Sequence, residues 1–226
     1  MSDQVVQFDL NGDVAVLRFD DSKANALSFT ALESLNRALD RAEAEAKAAV
    51  IIGREGRFCA GFDLAVMTGD NRDDARRLLA TGADFGLRLY LAPIPVVLGV
   101  TGHALAMGAI LLTCADYRIG AEGQFKLGLN EVAIGMSVPE FGVELVRDRI
   151  SKRWFLPAVQ HAHIFDPQGA LGAGFLDEVV EADEVLPRCV ARAGHLADTL
   201  HPGPFRTTRD TCRADLARRL RDGLTA

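Results

Sequence analysis

The sequence predicts an α/β protein in which buried strands alternate with amphipathic helices. Residues 49–53 and 96–100 are short apolar runs, which are typical of strands buried on both faces. Residues 28–47 place leucines at helical spacing, and a second helix is predicted over 74–91. The chain has 226 residues, 49% of them hydrophobic. It can therefore form one sizeable core, and its composition argues against general disorder.

The N-terminal part is predicted to begin with a β-hairpin. The turn sequence Asn11-Gly12-Asp13 separates two strand patterns, residues 5–10 and 14–19. The first helix follows, and Ser28 or Thr30 can cap it because a side-chain oxygen there accepts from a free N–H of the first turn. The order is then strand, strand, helix, strand.

The second half alternates in the same way before it becomes helical. A polar stretch over 68–75 precedes the second helix, which Pro93 ends. Residues 104–114 are small or apolar and too long for a strand, so they predict a buried helix, and 116–120 predict another strand. A basic amphipathic helix over 206–221 is expected to be packed or solvated rather than a binding arm. Helices dominate beyond residue 142, with breaks predicted at Pro157, 167–169 and 202–204.

Composition excludes several classes of function. The formal net charge is −6, whereas electrostatic binding of nucleic acid needs concentrated positive charge. Residues 1–4 lack the pattern of an export signal, and no apolar stretch reaches the length of a membrane span. A cytoplasmic protein with no membrane partner is therefore expected. A disulfide scaffold and a structural zinc site are not expected, because the cysteines are far apart in sequence, at Cys59, Cys114, Cys189 and Cys212.

Chemistry is expected at two turns of small residues, 58–64 and 102–109, where a strand gives way to a helix. Backbone N–H groups at a helix start have no acceptor within the helix, and the helix dipole favours negative charge there. Two such ends facing each other would form an oxyanion hole able to stabilise an enolate. Taken by spacing alone, the same segments are also compatible with ordinary tight turns.

Five segments resemble, in order, the motifs of the crotonase (enoyl-CoA hydratase/isomerase) family. The resemblance covers roughly residues 5 to 200 and implies an α/β fold, the crotonase (ClpP-like) spiral of ββα units. It implies a spiral core over 1–165 with the coenzyme A and active sites, and a short helical C-terminal region over 166–226 that builds homotrimers or hexamers. The matching segments are KANALS (23–28), FCAGFDL (58–64), GHALAMG (102–108, followed by CADYRI at 114–119), LNEVAIG (129–135) and ALGAGFLDEVV (170–180).

The resemblance also implies the residues of the site. The two oxyanion N–H groups would belong to Phe62 and Met107, and Met107 stands where the family usually has glycine, so its side chain is expected to narrow the acyl pocket. An acyl-CoA would be the substrate, with coenzyme A entering as part of it and with no separate cofactor or metal. Residues implied to contact this substrate include Lys23, Ala24, Leu27, Ala60, Asp63 and Leu64.

Ile110 is the departure that decides the predicted reaction. Hydratases of the family carry a glutamate there and pair it with the glutamate that corresponds to Glu131. Hydration divides water activation and proton delivery between two groups, and an apolar Ile110 in the acyl pocket can do neither. Glu131 alone is enough for a 1,3-proton shift, as in Δ3,Δ2-enoyl-CoA isomerases, which the segment 127–131 also resembles. Burial in an apolar pocket would raise the pKa of such a base.

Three alternatives to the isomerase stay open at this stage. Glu140 lies near the position where dienoyl-CoA isomerases of the family place a second acid, so the chain could be a hydratase with rearranged acids, although an exposed surface acid is the default for Glu140. A second alternative is a catalytically weak acyl-CoA-binding relative. Thioester hydrolysis is the third and would require a water activated near Glu131.

Overall fold

The structure, a computed structural model, describes the backbone of residues 5–225 and the side chains of residues 5–222. Residues 1–4, on which the expectation about an export signal depends, lie outside the described residues. The strands are β1 (Val6–Asn11), β2 (Val14–Phe19), β3 (Ala26–Leu27), β4 (Ala48–Ile52), β5 (Gly56–Cys59), β6 (Gly61–Phe62), β7 (Val96–Val100), β8 (Gly102–Leu105), β9 (Tyr117–Ala121), β10 (Leu127–Gly128) and β11 (Glu178–Val180). The α-helices are α1 (Phe29–Glu45), α2 (Leu64–Met67), α3 (Arg72–Tyr90), α4 (Met107–Cys114), α5 (Glu140–Arg149), α6 (Lys152–Val159), α7 (Pro167–Ala173), α8 (Val185–Thr199) and α9 (Pro202–Thr225).

The chain alternates between two mostly parallel sheets, which produces a spiral. The main sheet has the order β1-β2-β4-β7-β9-β11, and its strands from β2 onward run parallel. After β4, β7 and β9 the chain crosses to a second, three-stranded parallel sheet of order β10-β8-β5. Each turn thus gives one strand to each sheet, and the predicted ββα spiral is confirmed.

The predicted N-terminal elements are present with small shifts in their ends. Helix α1 is capped by Ser28, whose hydroxyl accepts from the N–H of Ala31 at 3.1 Å. Helix α3 begins at Arg72, two residues before the predicted start, because the Asn71 side chain accepts from two N–H groups of its first turn. Much of the stretch 68–75 is therefore helical.

Two expectations about helix ends are wrong. The helix predicted over 104–114 begins only at Met107, because residues 102–105 form β8 between β5 and β10. The predicted break at Pro157 is also absent, because Pro157 lies inside α6. Helices are interrupted near the other two predicted breaks, but the interruptions come just before them. Pro167 and Pro202 are the first residues of α7 and α9, where proline costs no helical hydrogen bond.

Helix α9 is anchored to the core by charged side chains. Arg209, only 3% exposed, reaches the carboxylate of Asp116 at 2.5 Å and donates to the backbone carbonyl of Ala92. Arg213 pairs with the other oxygen of Asp116 at 3.2 Å. These ion pairs hold α9 against the end of α3, so the helix predicted over 206–221 is packed rather than solvated.

Arg209→Met is expected to lower the free energy of unfolding by about 3 kcal/mol. The substitution leaves a partly buried carboxylate and a backbone carbonyl short of a donor, and such losses are strongly destabilising. Urea denaturation measures the change. As a control, Asp9→Ala breaks the exposed pair with Arg18 and should cost less than about 1 kcal/mol. An equal change in the free energy of unfolding for the two variants would contradict the role of Arg209 in holding α9.

Candidate active site

A cavity of about 110 Å³ lies where β6, the start of α4 and the segment after β10 meet. Its wall is mainly apolar, and Glu131 is its only carboxylate among the described residues. Of the residues that the sequence analysis singles out, the cavity brings together Ala60, Phe62, Leu64, Met107, Ile110 and Glu131. The remaining wall residues are Met67, Leu79, Ala106, Asn130, Ile134, Met136, Ser137 and Pro139.

Two backbone N–H groups are available at this cavity. The N–H of Asp63 donates to the carbonyl of Leu27 at 3.1 Å, and successive N–H groups of a strand point to opposite sides. The N–H of Phe62 therefore points away from β3. Met107 is the first residue of α4, so its N–H has no acceptor within the helix. A Cβ added at Gly61 would lie 3.4 Å from the nitrogen of Met107, so β6 and the start of α4 are in contact.

The local conformation at the start of α4 explains its small residues. Ala106 has φ +51°, an unusual conformation for a residue with a side chain, and its N–H donates to the carbonyl of Gly128 at 3.0 Å. A Cβ added at Gly108 would lie 2.2 Å from the carbonyl oxygen of Cys59. Only glycine lets the first turn of α4 pack this closely on β5. The glycine at position 108 is thus required by the close approach of the backbones of α4 and β5.

The thiol of Cys59 beside the two N–H groups is inert. Its sulfur accepts from the N–H of Gly61 at 3.4 Å. Complete burial raises the pKa of Cys59 to about 12, so the thiol stays neutral and adds no negative charge beside the N–H groups.

Three large side chains of the cavity are held in notches made by glycine. A Cβ at Gly82 would overlap the ring of Phe62, and one at Gly142 would lie 2.6 Å from Cδ1 of Ile110. Met107 is 1% exposed, and its terminal methyl would lie 3.3 Å from a Cβ added at Gly86 of α3. Its side chain is therefore packed against α3.

Glu131 is a buried carboxylate with an unused oxygen. The residue is 7% exposed and its Oε2 has no hydrogen-bond partner. Desolvation raises the pKa of Glu131, opposed in part by a hydrogen bond from its own backbone N–H. Glu131, Phe62 and Met107 all line this small, mainly apolar cavity. A buried carboxylate with a free oxygen can move a proton, and backbone N–H groups beside it can stabilise a developing oxyanion.

The burial of Glu131 predicts a pH-dependent stability difference. Because its pKa is higher in the folded protein than in the unfolded chain, ionising Glu131 lowers the free energy of unfolding as the pH rises through the folded-state value. Glu131→Gln removes this loss. The variant should gain stability over the wild type progressively above the ordinary carboxyl pKa of about 4.3. Urea denaturation over a pH series measures the difference in the free energy of unfolding between the variant and the wild type. A difference that stays constant or narrows as the pH rises would contradict a raised pKa of Glu131.

The residues implied to bind coenzyme A lie mostly outside this cavity. Lys23 is exposed and Ala24 half-buried on a loop held by Asn25, whose amide donates to the carbonyl of Phe19 at 2.8 Å. Asp63 caps α2 by accepting from the second N–H of that helix at 2.9 Å.

The prediction that Leu27 contacts the substrate is wrong for its side chain, which is fully buried in the core. Its backbone carbonyl accepts from the N–H of Asp63 beside the cavity.

Glu140 is not brought to the cavity of Glu131. It is exposed at the first turn of α5 and lines a neighbouring, larger cavity. The sequence analysis missed Asn130 and Ser137, the two uncharged polar side chains on the wall. Asn130 could have been noticed because it precedes Glu131, whereas nothing in the sequence distinguishes Ser137.

The described part of the chain contains neither a candidate metal site nor a helix that could span a membrane. Within residues 5–225 no group of three or more histidine, cysteine, aspartate or glutamate side chains is arranged to hold a metal ion. No helix in the same range has the length and apolar character needed to cross a membrane.

Known proteins resemble this chain over most of its length. The sequence model of the enoyl-CoA hydratase/isomerase family matches residues 9–226. A mitochondrial enoyl-CoA delta isomerase 1 of Mus musculus is 32% identical over 176 residues, which cover 76% of this chain and 61% of the relative. A probable enoyl-CoA hydratase of Bacillus subtilis is 37% identical over 131 residues, covering 57% of this chain and 50% of the relative. The chain thus spans less than two thirds of these curated relatives.

Solved structures match more completely. An enoyl-CoA isomerase of Mycobacterium tuberculosis superposes with a TM-score of 0.94 at 36% identity, covering 100% of this chain and 97% of that one. An enoyl-CoA hydratase of Mycobacterium ulcerans gives a TM-score of 0.94 at 35% identity, covering 98% and 96%. The spiral thus defines a protein of the crotonase fold. More specifically, the chain belongs to the enoyl-CoA hydratase/isomerase family. Its relatives carry both names, so the reaction has to be argued from the site.

Proposed function

We propose that the protein is an enoyl-CoA Δ3,Δ2-isomerase in which Glu131 is the only acid–base group. The observation that supports this most is the single buried carboxylate, with a free oxygen, in a cavity that also contains Phe62 and Met107. The substrate would be a 3-enoyl-CoA whose thioester carbonyl lies between the two N–H groups.

The proposed reaction has two proton transfers. The carboxylate of Glu131 takes a proton from C2, and the electron pair of the broken C–H bond delocalises as a dienolate with its negative charge on the thioester oxygen. The N–H groups of Phe62 and Met107 stabilise that charge. Protonated Glu131 then gives its proton to C4, the double bond settles between C2 and C3, and the carboxylate is regenerated. Nothing is consumed in the cycle.

Hydration of a 2-enoyl-CoA is the less favoured activity. It needs a water to be activated and a proton to be delivered, which two carboxylates normally share. Ile110 faces the cavity where a second acid would be needed, and Glu140 lies in the neighbouring cavity. Hydration is tested as well, because several relatives are named as hydratases.

A paired assay on the purified protein tests the proposal. One arm follows conversion of 3-hexenoyl-CoA to the conjugated 2-enoyl product, and the other follows loss of 2-hexenoyl-CoA to the hydroxy product. We expect the first reaction without efficient hydration. Efficient hydration would refute the lone-base proposal and make Glu140 the next residue to test. Release of free coenzyme A would indicate thioester hydrolysis. No turnover in any assay, with acyl-CoA binding intact, would indicate a catalytically weak acyl-CoA-binding relative.

Assembly and location stay predictions. A homotrimer or hexamer is expected from the family resemblance, and light scattering after size-exclusion chromatography measures the mass against the 24.4 kDa of one chain. A cytoplasmic location likewise rests on the sequence.

A further inference from the structure

Three of the four methionines of the chain line the cavity of Glu131. Met67 is the last residue of α2, Met107 is the first residue of α4, and Met136 lies shortly after Glu131 in the sequence. The N–H of Met136 donates to the backbone carbonyl of Glu131 at 2.9 Å, so this methionine is tied to the residue that carries the carboxylate. The fourth, Met1, lies outside the described residues. The described thioether sulfurs are thus gathered at one cavity.

Two of these three methionines are partly accessible from solvent. Met67 and Met136 are half-buried, and the short helix α2 that carries Met67 has no buried residue. Leu64 and Ile134, which line the cavity close to them in sequence, are 62% and 54% exposed, so this side of the cavity is open to water. Met107, in contrast, is 1% exposed. Because oxidation by a dissolved oxidant follows the exposure of the side chain, Met67 and Met136 are the reactive pair.

The thiols of the chain do not compete for an oxidant at this cavity. Cys59, Cys114 and Cys189 are buried, and burial raises the pKa of each to about 12. A thiol reacts as its thiolate, so these three stay unreactive, whereas a thioether needs no ionisation. Cys212 is exposed on α9 and does not line the cavity. Methionine is therefore the oxidisable residue type at the active site.

Oxidation of Met67 or Met136 would change the chemistry of the cavity wall. A sulfoxide is polar, whereas the wall around Glu131 is mainly apolar. The added oxygen needs a hydrogen-bond donor, because burying a polar group without one costs free energy. It either brings water into a space of about 110 Å³ or stays unpaired when an acyl group covers it. Both outcomes weaken the binding of an apolar acyl group.

We propose that Met67 and Met136 are a modification site at which hydrogen peroxide lowers the affinity of the active site for acyl-CoA. A lone pair of the sulfur attacks one peroxide oxygen, the O–O bond breaks as the S–O bond forms, and the second oxygen leaves as water after proton transfer. The thioether is oxidised to the sulfoxide and the peroxide is reduced. Methionine sulfoxide reductases reverse the change, so the site can act as a switch. The loss of affinity rests on the proposed acyl-CoA substrate, whereas the oxidation itself does not.

Mass spectrometry and calorimetry on the same samples test the proposal. The Cys212→Ser protein is treated with hydrogen peroxide, catalase removes the excess, and peptide mapping locates the sulfoxides. We expect sulfoxide at Met67 and Met136 and none at Met107. The Kd for hexanoyl-CoA should rise about tenfold, which corresponds to about 1.4 kcal/mol and lies within the cost of burying an unpaired polar group. Methionine sulfoxide reductases A and B should return the Kd to its untreated value.

The matched control combines Met67→Leu and Met136→Leu in the same Cys212→Ser protein, which removes both sulfurs at similar side-chain volume. Each protein is compared with its own untreated sample, so an effect of leucine on binding itself does not enter. The ratio of the treated to the untreated Kd should be close to one with both leucines, and each single variant should give an intermediate ratio.

Three results would overturn the proposal. One is the absence of sulfoxide at Met67 and Met136 at a peroxide dose that oxidises the methionines of the urea-unfolded protein. The second is complete oxidation of both without a change in Kd, and the third is an equal rise in Kd with and without the two methionines. A Kd that rises as expected in a protein without isomerase activity supports the modification site and refutes the proposed reaction. A protein that binds no hexanoyl-CoA before treatment overturns both.

Discussion

Glu131→Gln is expected to lower the kcat for isomerisation about 10³-fold while acyl-CoA binding is retained. General acid–base catalysis contributes roughly 10²–10⁴-fold, and this cavity offers no second carboxylate among the described residues to replace the lost base. Glutamine keeps the size and much of the polarity of the side chain, so the cavity should keep its shape. Steady-state kinetics with 3-hexenoyl-CoA and calorimetric binding of hexanoyl-CoA measure the two effects.

A matched control is Glu122→Gln, which changes an exposed acid in the loop after β9, away from the cavity. It should leave both kcat and binding unchanged. If Glu131→Gln retained more than about a tenth of the wild-type kcat, general acid–base catalysis by this residue would be excluded. A parallel loss of binding would instead indicate that the substitution disturbed the cavity.

Gly108→Ala is expected to lower kcat about 10²-fold through the backbone. The added methyl group would lie 2.2 Å from the carbonyl oxygen of Cys59, so the first turn of α4 must move away from β5. That movement displaces the N–H of Met107 from the N–H of Phe62. Loss of one oxyanion donor typically costs about 10²–10³-fold in kcat, and steady-state kinetics measures the change.

Gly194→Ala is the control for the effect of an added methyl group in a helix. Nothing lies within 4 Å of the position that its Cβ would take on α8, so this change should leave kcat unchanged and raise the free energy of unfolding by about 0.5–1 kcal/mol. The comparison has to be made on folded protein, which near-ultraviolet circular dichroism verifies. Full kcat in a folded Gly108→Ala protein would contradict the role given to the start of α4.

The alternation of strands and helices could be predicted because these elements carry strong local signals, whereas the spiral was implied only by the resemblance to the family. Wholly apolar strands such as 96–100 and the capped, amphipathic helix after Ser28 are decided by neighbouring residues. The short strand β8 was missed because its residues are small and apolar like the helix that follows. Its pairing with β5 and β10, which are distant in sequence, overrides that local pattern.

The candidate site could be predicted in its chemistry but not in its walls. Glu131 and the apolar Ile110 are identified by residue type, and the structure places both on one cavity. Leu79 and Pro139 carry no local signal, since they meet only through the packing of α3 against the segment before α5. The positive φ of Ala106 is equally invisible, because an alanine gives no indication of a conformation that glycine normally adopts.

The most direct test of the lone-base account is the fate of the proton that leaves C2. A 3-enoyl-CoA deuterated at C2 is converted in ordinary water, and mass spectrometry and NMR locate the label in the first product formed. Because Glu131 is 7% exposed and takes and returns the same proton, we expect a substantial fraction of the product to carry deuterium at C4. Product with no deuterium at C4 from the earliest turnovers would show that removal and return of the proton use different groups or water, and would contradict the account.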